Sequence, residues 1–298
     1  MRTKLIGYLK LTRFNEYVSF VTVTTLLGVA AAGGELSARW WLVLIANLLS
    51  VGFAFMINDV EDAPDDALSA AKINRNPVSS GQLTPTEARI ASFVVALFSL
   101  MLYIILGGRV LFYGAISLVL GILYSWHGVR LKQIAFLDLL SHCWLLAGLQ
   151  TLTGFFTFSQ QVNRNLIFPL AFIICISLYG ELFNELRDFE GDKAANLRHT
   201  AIVLGEKRTH ILMMVLLGLG AISGFITIVL LNIIPGWVIV FMAVMAVILI
   251  FPALLRLRQN QTALQIQTPL HKPLEIAAAI ALFSMYIVPP MIEWIKSL

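Results

Sequence analysis

Nine apolar runs constrain this chain before any other feature does. They cover approximately 16–33, 39–57, 89–106, 109–126, 134–156, 165–184, 208–232, 235–255 and 274–295. A run of about 20 apolar residues matches the hydrocarbon thickness of a bilayer, and a backbone placed there must satisfy its own hydrogen bonds, as a helix does. The chain is therefore expected to be all-α: a polytopic membrane helical bundle with nine transmembrane helices. Composition agrees, since 58% of the 298 residues are hydrophobic and only 13% are charged, against about 25% charged in soluble domains. The count depends on a tight turn at Gly107-Gly108 that separates the third and fourth runs. A single domain, 1–298, is expected, with a hint of two halves at about 1–160 and 161–298. Cys143 and Cys175 fall inside apolar runs and read as small buried hydrophobes.

Charge sets the orientation. With nine spans, only Arg39, Arg109, Arg164 and Lys296 fall at one set of helix ends, and the other 17 of the 21 Lys and Arg fall at the opposite set. Basic residues concentrate on the cytoplasmic side, so the amino end and the long loops 57–88, 124–133 and 185–207 are expected inside a cell membrane, with the carboxyl end outside. A cleaved signal is not expected, because the basic amino end is long and contains Glu16. The net charge of +4 is modest, and no nucleic-acid partner is expected. Arg256, Arg258 and Lys272 read as topogenic.

Two acidic stretches at the expected inner face share one spacing. The first is NDVEDAPDD from Asn58 to Asp66, and the second is NELRDFEGD from Asn184 to Asp192. Each places Asn, Asp and Asp four residues apart: Asn58, Asp62 and Asp66, then Asn184, Asp188 and Asp192. Positions i, i+4 and i+8 fall on nearly the same face of a helix. Pro64 could end or kink the first helix near Ala63 and turn Asp66 away. The motif starts lie 126 residues apart, and a basic residue follows each by six, Lys72 and Arg198, which hints at a duplicated unit.

Carboxylates beside hydrocarbon are costly and mark sites. Hard oxygen donors suit Mg²⁺, which commonly bridges protein carboxylate to phosphate. The neighbouring Lys72, Arg75, Arg130, Lys132, Lys193 and Arg198 suit phosphate. Cations and metal together stabilise a leaving diphosphate. Phe53, Phe55, Tyr124, Tyr179 and Phe183 lie near the motifs, where aromatic faces could shelter an allylic carbocation. The combination implies an isoprenyl diphosphate donor.

NDVEDAPDD with the downstream KINRNPVSSGQL resembles the first motif of the UbiA-type intramembrane prenyltransferases. RDFEGDKAANLRHTAIVLGEKR resembles the second, and YSWHGVRLK the family's Tyr-Ser loop. The nine-helix count is similar, so the resemblance spans nearly the whole chain. It implies that Asn58, Asp62, Asp66, Asp188 and Asp192 hold two Mg²⁺, and that Lys72, Arg75, Tyr124, Arg130, Lys132 and Lys193 contact diphosphate. Arg198 joins that set as the second loop's counterpart of Lys72. Asp62, Asp66, Asp188 and Asp192 are then the catalytic carboxylates. His127-Gly128 stands where the family often has Pro-Pro, a departure that touches loop conformation and not the metal site.

The expected activity is Mg²⁺-dependent transfer of a prenyl group from a polyprenyl diphosphate to a lipophilic acceptor, aromatic or isoprenoid, among membrane lipids. A terpene cyclase would share the metal motifs and differ in cavity shape. A secondary transporter would place its ion site near the bilayer midplane, whereas both acidic stretches here sit at one face. Glu181 reads either as a base for the acceptor or as part of a polar network. His142 reads as a hydrogen-bonding partner of a neighbouring helix. Asp138 reads as a cap or as the orienter of a basic loop residue. Arg13 reads as topogenic or as a grip for an acidic acceptor. Gly28, Gly33 and Gly34 read as packing or turn positions.

Overall fold

A computed structural model describes residues 2–68, 72–194, 198–255 and 263–296. Arg256 and Arg258 lie outside the described residues. The described chain is helical: α1 (Arg2–Leu11), α2 (Phe14–Ala31), α3 (Ala38–Asp66), α4 (Pro85–Leu106), α5 (Gly108–Ser125), α6 (Leu137–Cys143), α7 (Leu149–Phe158), α8 (Arg164–Ala194), α9 (Thr200–Leu204), α10 (Glu206–Phe225), α11 (Gly236–Leu254) and α12 (Ala263–Lys296). A π-helical turn, Trp144–Gly148, joins α6 to α7, so that Leu137–Phe158 crosses as one element. Among the described residues, eight elements are long and apolar enough to span a membrane, and Gly236–Pro252 is a shorter apolar helix. Together they account for the nine runs, and the protein is a multi-pass membrane protein.

The Gly107-Gly108 turn separates α4 from α5 as expected, with both residues at positive φ, 71° and 50°, where an L side chain is strained. Two helices outrun their apolar stretches. α3 continues through Pro64 to Asp66, and α8 continues to Ala194. Both acidic stretches are therefore helical, and Pro64 does not end α3 at Ala63.

The core forms where α2, α3 and α7 meet, around Trp40, Tyr103, Phe155 and Phe156. Close approach there depends on glycine. A Cβ on Gly28 would stand 2.2 Å from the Thr151 carbonyl oxygen, and one on Gly154 would stand 2.4 Å from that of Thr25. Gly33 takes φ 66° in the turn after α2. Buried polar side chains tie the same helices together. Asn47 donates to Thr25 Oγ1 at 2.8 Å and to the Gln150 carbonyl at 3.1 Å, and accepts from Tyr103 at 2.8 Å and Thr153 at 2.9 Å. Gln150 Nε2 donates to the Leu145 carbonyl at 2.7 Å, which steadies the π turn. Leu97, Phe98, Val240 and Val247 lie exposed on the outer helix faces, as expected where lipid is the solvent.

Alternating crossings bring three connections to one end of the bundle: the described residues 72–84 after α3, 126–136 after α5, and 198–205 before α10. The Phe136 amide donates to Thr200 Oγ1 at 2.7 Å between the second and third, and the candidate site lies among them.

Candidate functional site

The end of α3 supplies the first half of the site. Asn58 and Asp62, one turn apart, face the loop after α5. Lys132 Nζ lies 2.8 Å from Asn58 Oδ1 and 2.6 Å from each Asp62 oxygen. Arg130 donates to Asp62 Oδ1 at 3.0 Å and to Asp65 Oδ2 at 2.7 Å. Arg130 adopts φ 50°, and that bend brings both basic side chains back over α3. Ser125 donates to Asn58 Oδ1 at 2.9 Å. Burial holds Lys132 below the ordinary lysine pKa against the pull of Asp62. Burial works in the same sense on Arg130, but Asp65 and Asp62 outweigh it and raise its value.

Asp66 is on the helix but is drawn to another partner. It is buried, and Asn76 Nδ2 donates to its Oδ2 at 3.0 Å and to the Asp59 carbonyl at 2.8 Å. Asn76 Oδ1 accepts from the Val78 amide at 2.9 Å, so this one side chain folds the first loop onto α3.

The end of α8 supplies the second half. Asp188 is exposed and paired with Arg187, with Nη2 to Oδ2 at 3.0 Å. Asp192 pairs with His199, Nε2 to Oδ2 at 3.0 Å, and His199 Nδ1 lies 3.1 Å from Glu185 Oε2. Burial tends to lower the His199 pKa, but Glu185 and Asp192 outweigh it and raise the value. Asp138 accepts from the Thr200 amide at 2.7 Å and from its hydroxyl at 2.5 Å. It therefore caps α9 across the loop, and among the described residues its partners include no basic side chain.

A cavity of about 640 Å³ opens beside both halves. Arg13, Arg75, Arg187 and Lys272 bring positive charge to it, and Glu16, Glu181 and Glu275 bring negative charge. His142 and Glu181 face each other across it at 3.2 Å, which joins α6 to α8 as expected of His142. Asn184 Nδ2 donates to the same Glu181 oxygen at 3.4 Å. The Tyr124 ring lies 6.5 Å from that of His142, within reach of the Asp62 and Glu181 charges.

The expected residues gather unequally. Asn58, Asp62, Arg130 and Lys132 converge. Arg75 joins the cavity beside Arg13, close enough to Glu16 and Asp59 to influence both carboxylates. Lys72 and Arg198 are exposed on their loops, and Lys193 lies over the Phe189 ring at 5.9 Å. Among the rings, Phe55 lines the cavity, but Phe53 is buried in the core beside Phe93, and Tyr179 packs with the α8–α10 cluster. Phe183 is buried beside His271.

Spacing alone missed four residues. Asp59 is fully buried and bonds Arg13 at 3.3 Å, holding a guanidinium that also bonds Glu16 and lies 4.9 Å from the Phe55 ring. Arg13 is thus part of the cavity wall. Asn76, Glu185 and His199 were missed because their partners lie on other segments. Asp59 offered one signal, an acid beside Asn58 immediately after an apolar run.

Among the described residues, no three carboxylate, imidazole or thiol groups converge on one point. Mg²⁺ does not need such a cage, since it is typically held by one or two carboxylates plus substrate phosphate and water. The donor set fits it: Asn58 and Asp62 already turn three oxygens toward one cationic centre, the Lys132 ammonium.

The model of the UbiA prenyltransferase family matches residues 21–268. The chain is 28% identical over 218 residues to a digeranylgeranylglyceryl phosphate synthase of Sulfolobus acidocaldarius, covering 72% of this chain and 74% of that one. Its fold is similar to that of a UbiA homolog from Archaeoglobus fulgidus solved with DMAPP and Mg²⁺, with TM-score 0.66, 20% identity, and 93% and 99% of the two chains covered. It is also similar to the apo structure of a UbiA homolog from Aeropyrum pernix K1, with TM-score 0.69, 14% identity, and 91% and 97% covered.

Proposed function

The chain belongs to the UbiA prenyltransferase family, and from that premise we propose that it transfers a prenyl group from a polyprenyl diphosphate to a lipophilic acceptor within the membrane, releasing diphosphate. The observation that carries this reading is the convergence of Asn58 and Asp62 with Arg130 and Lys132, beside a cavity shared with the second acidic stretch.

Asn58, Asp62, Asp66, Asp188 and Asp192 would hold Mg²⁺, which when bound neutralises the diphosphate and makes it a better leaving group. Arg130 and Lys132 stand where they can exchange a carboxylate for phosphate oxygens. Arg75, Lys72, Lys193 and Arg198 add charge at the rim. As the allylic C–O bond breaks, the departing diphosphate takes the electron pair, and preplaced cations stabilise that growing charge. Phe55 and Tyr124 present ring faces to the electron-poor carbon. The acceptor forms the new bond to that carbon and gives up a proton.

The relatives' name, digeranylgeranylglyceryl phosphate synthase, puts a glyceryl phosphate lipid first among acceptors to test. Incubating membranes with labelled geranylgeranyl diphosphate and an acceptor panel tests the reading. Acceptor-dependent diphosphate release supports it, and release accompanied by a cyclised donor overturns it.

Arg75 separates donor from acceptor effects. Arg75→Ala is expected to lower kcat/KM for prenyl diphosphate and weaken inhibition by free diphosphate, with acceptor KM little changed. Arg208→Ala, exposed at the start of α10, is the control. A raised acceptor KM with intact diphosphate inhibition would reassign Arg75 to the acceptor.

We assign the site end to the cytoplasmic side, because the sequence puts 17 of its 21 Lys and Arg at that set of expected helix ends. Leu68→Cys, at a position 90% exposed, and Lys207→Cys are expected to resist an impermeant thiol reagent in intact cells, while Gln161→Cys labels. The reverse pattern inverts the orientation.

A further inference from the structure

We infer that His199 is a positioning residue for Asp192, holding the last carboxylate of the second acidic stretch in the orientation in which it takes a divalent cation. The inference rests on the assignment of Asp192 to the metal made above.

Asp192 lies in the last turn of α8, where little packing restrains a side chain. Among the described residues its hydrogen-bond partner is His199, and the contact uses only Oδ2, so Oδ1 is left for a cation. The imidazole is well placed to act as a fixed point. It is 8% exposed, and its other nitrogen lies 3.1 Å from Glu185 Oε2, two turns before Asp192 on the same helix.

The backbone on either side is pinned as well. Glu185 Oε2 accepts from the Ala201 amide at 2.7 Å, and Asp138 of α6 takes both Thr200 donors. Thr200 Oγ1 in turn accepts from the Phe136 amide at 2.7 Å. The ring therefore ties Asp192 to Glu185 of α8, while Asp138 of α6 holds the backbone next to the ring. Partners behind a metal ligand fix its orientation, and losing one typically costs about 10–100-fold in metal affinity.

Two amide substitutions separate this role from a merely structural one. An Asn side chain reaches the place of the ring Nδ1 and keeps the Glu185 contact. A Gln side chain reaches the place of Nε2 and keeps the Asp192 contact. The measurement is Mn²⁺ binding, followed by its electron paramagnetic resonance signal, to purified protein with inorganic diphosphate present. Thermal unfolding is recorded alongside. His199→Asn is expected to weaken Mn²⁺ binding about 10–100-fold with an unchanged melting temperature. His199→Gln is expected to bind within about threefold of wild type, and Asp192→Ala is expected to weaken binding at least as much as His199→Asn. Wild-type Mn²⁺ binding by His199→Asn, with Asp192→Ala impaired, overturns the positioning role and leaves the metal site standing. Wild-type binding by Asp192→Ala overturns the metal assignment and the inference with it. Should His199→Asn fail to fold, His199→Gln decides: retained binding supports the role, and lost binding overturns it.

Discussion

Asp62→Ala and Asp188→Ala are each expected to reduce prenyl transfer to background. Asp62 is the carboxylate on which Asn58, Arg130 and Lys132 all converge, so its removal takes away an oxygen donor and deprives Lys132 of its carboxylate partner, while Arg130 keeps Asp65 and Lys132 keeps the Asn58 amide oxygen. Asp188 is exposed at the mouth of the second stretch, and among the described residues it pairs with its exposed neighbour Arg187, which leaves it able to turn to a metal. One contact made to a developing charge is typically worth about 2.7–4 kcal/mol, or about 100–1,000-fold in rate. Asp65→Ala is expected to be milder, because among the described residues Asp65 bonds Arg130, which keeps its bond to Asp62. Single-turnover measurements at saturating donor separate the three variants. A larger loss at Asp65 than at Asp62 would overturn the ligand assignment on α3.

The second large effect is on folding. Gly154→Val places a side chain where a Cβ alone would stand 2.4 Å from the Thr25 carbonyl oxygen, and Gly28→Val meets the Thr151 carbonyl oxygen at 2.2 Å. Both obstacles are backbone, so no rotamer relieves them, and α2 and α7 must separate. Overpacking typically costs about 1–3 kcal/mol and more where backbone has to move, so both variants are expected at or beyond the upper end. Separation also strains the Thr151 hydroxyl bond to the Thr24 carbonyl and the Asn47 network. Gly218→Ala, at a position with nothing within 4 Å, is the control. Thermal unfolding in detergent reads the result. A melting temperature for Gly154→Val equal to that of Gly218→Ala would show that the crossing is looser than this geometry allows.

The sequence by itself determined the membrane helices, because the length of an apolar run is a local property and the bilayer sets the length required. It also determined that the acidic stretches and the basic loops share one end. Asn58 and Asp62 were legible as a pair because a four-residue spacing fixes a shared face on any helix. Two points the sequence left open were decided by the fold: α3 runs on through Pro64 to Asp66, and Phe53 packs into the core while Phe55 lines the cavity.

Tertiary structure decided which cations meet which carboxylates. Nothing in the chain order says that Arg130 and Lys132 lie on Asp62 while Arg75 lines the cavity with Arg13, or that Asn76 claims Asp66. His199 is the plainest case. It lies within the segment that resembles the second motif, but its spacing from the acids assigns it no role; it meets Asp192 because α8 continues past its apolar run while Asp138 and Glu185 hold Thr200 and Ala201. Burial and spacing within a helix are written locally. A bond between segments far apart in the chain depends on how the bundle closes, and only the folded molecule states it.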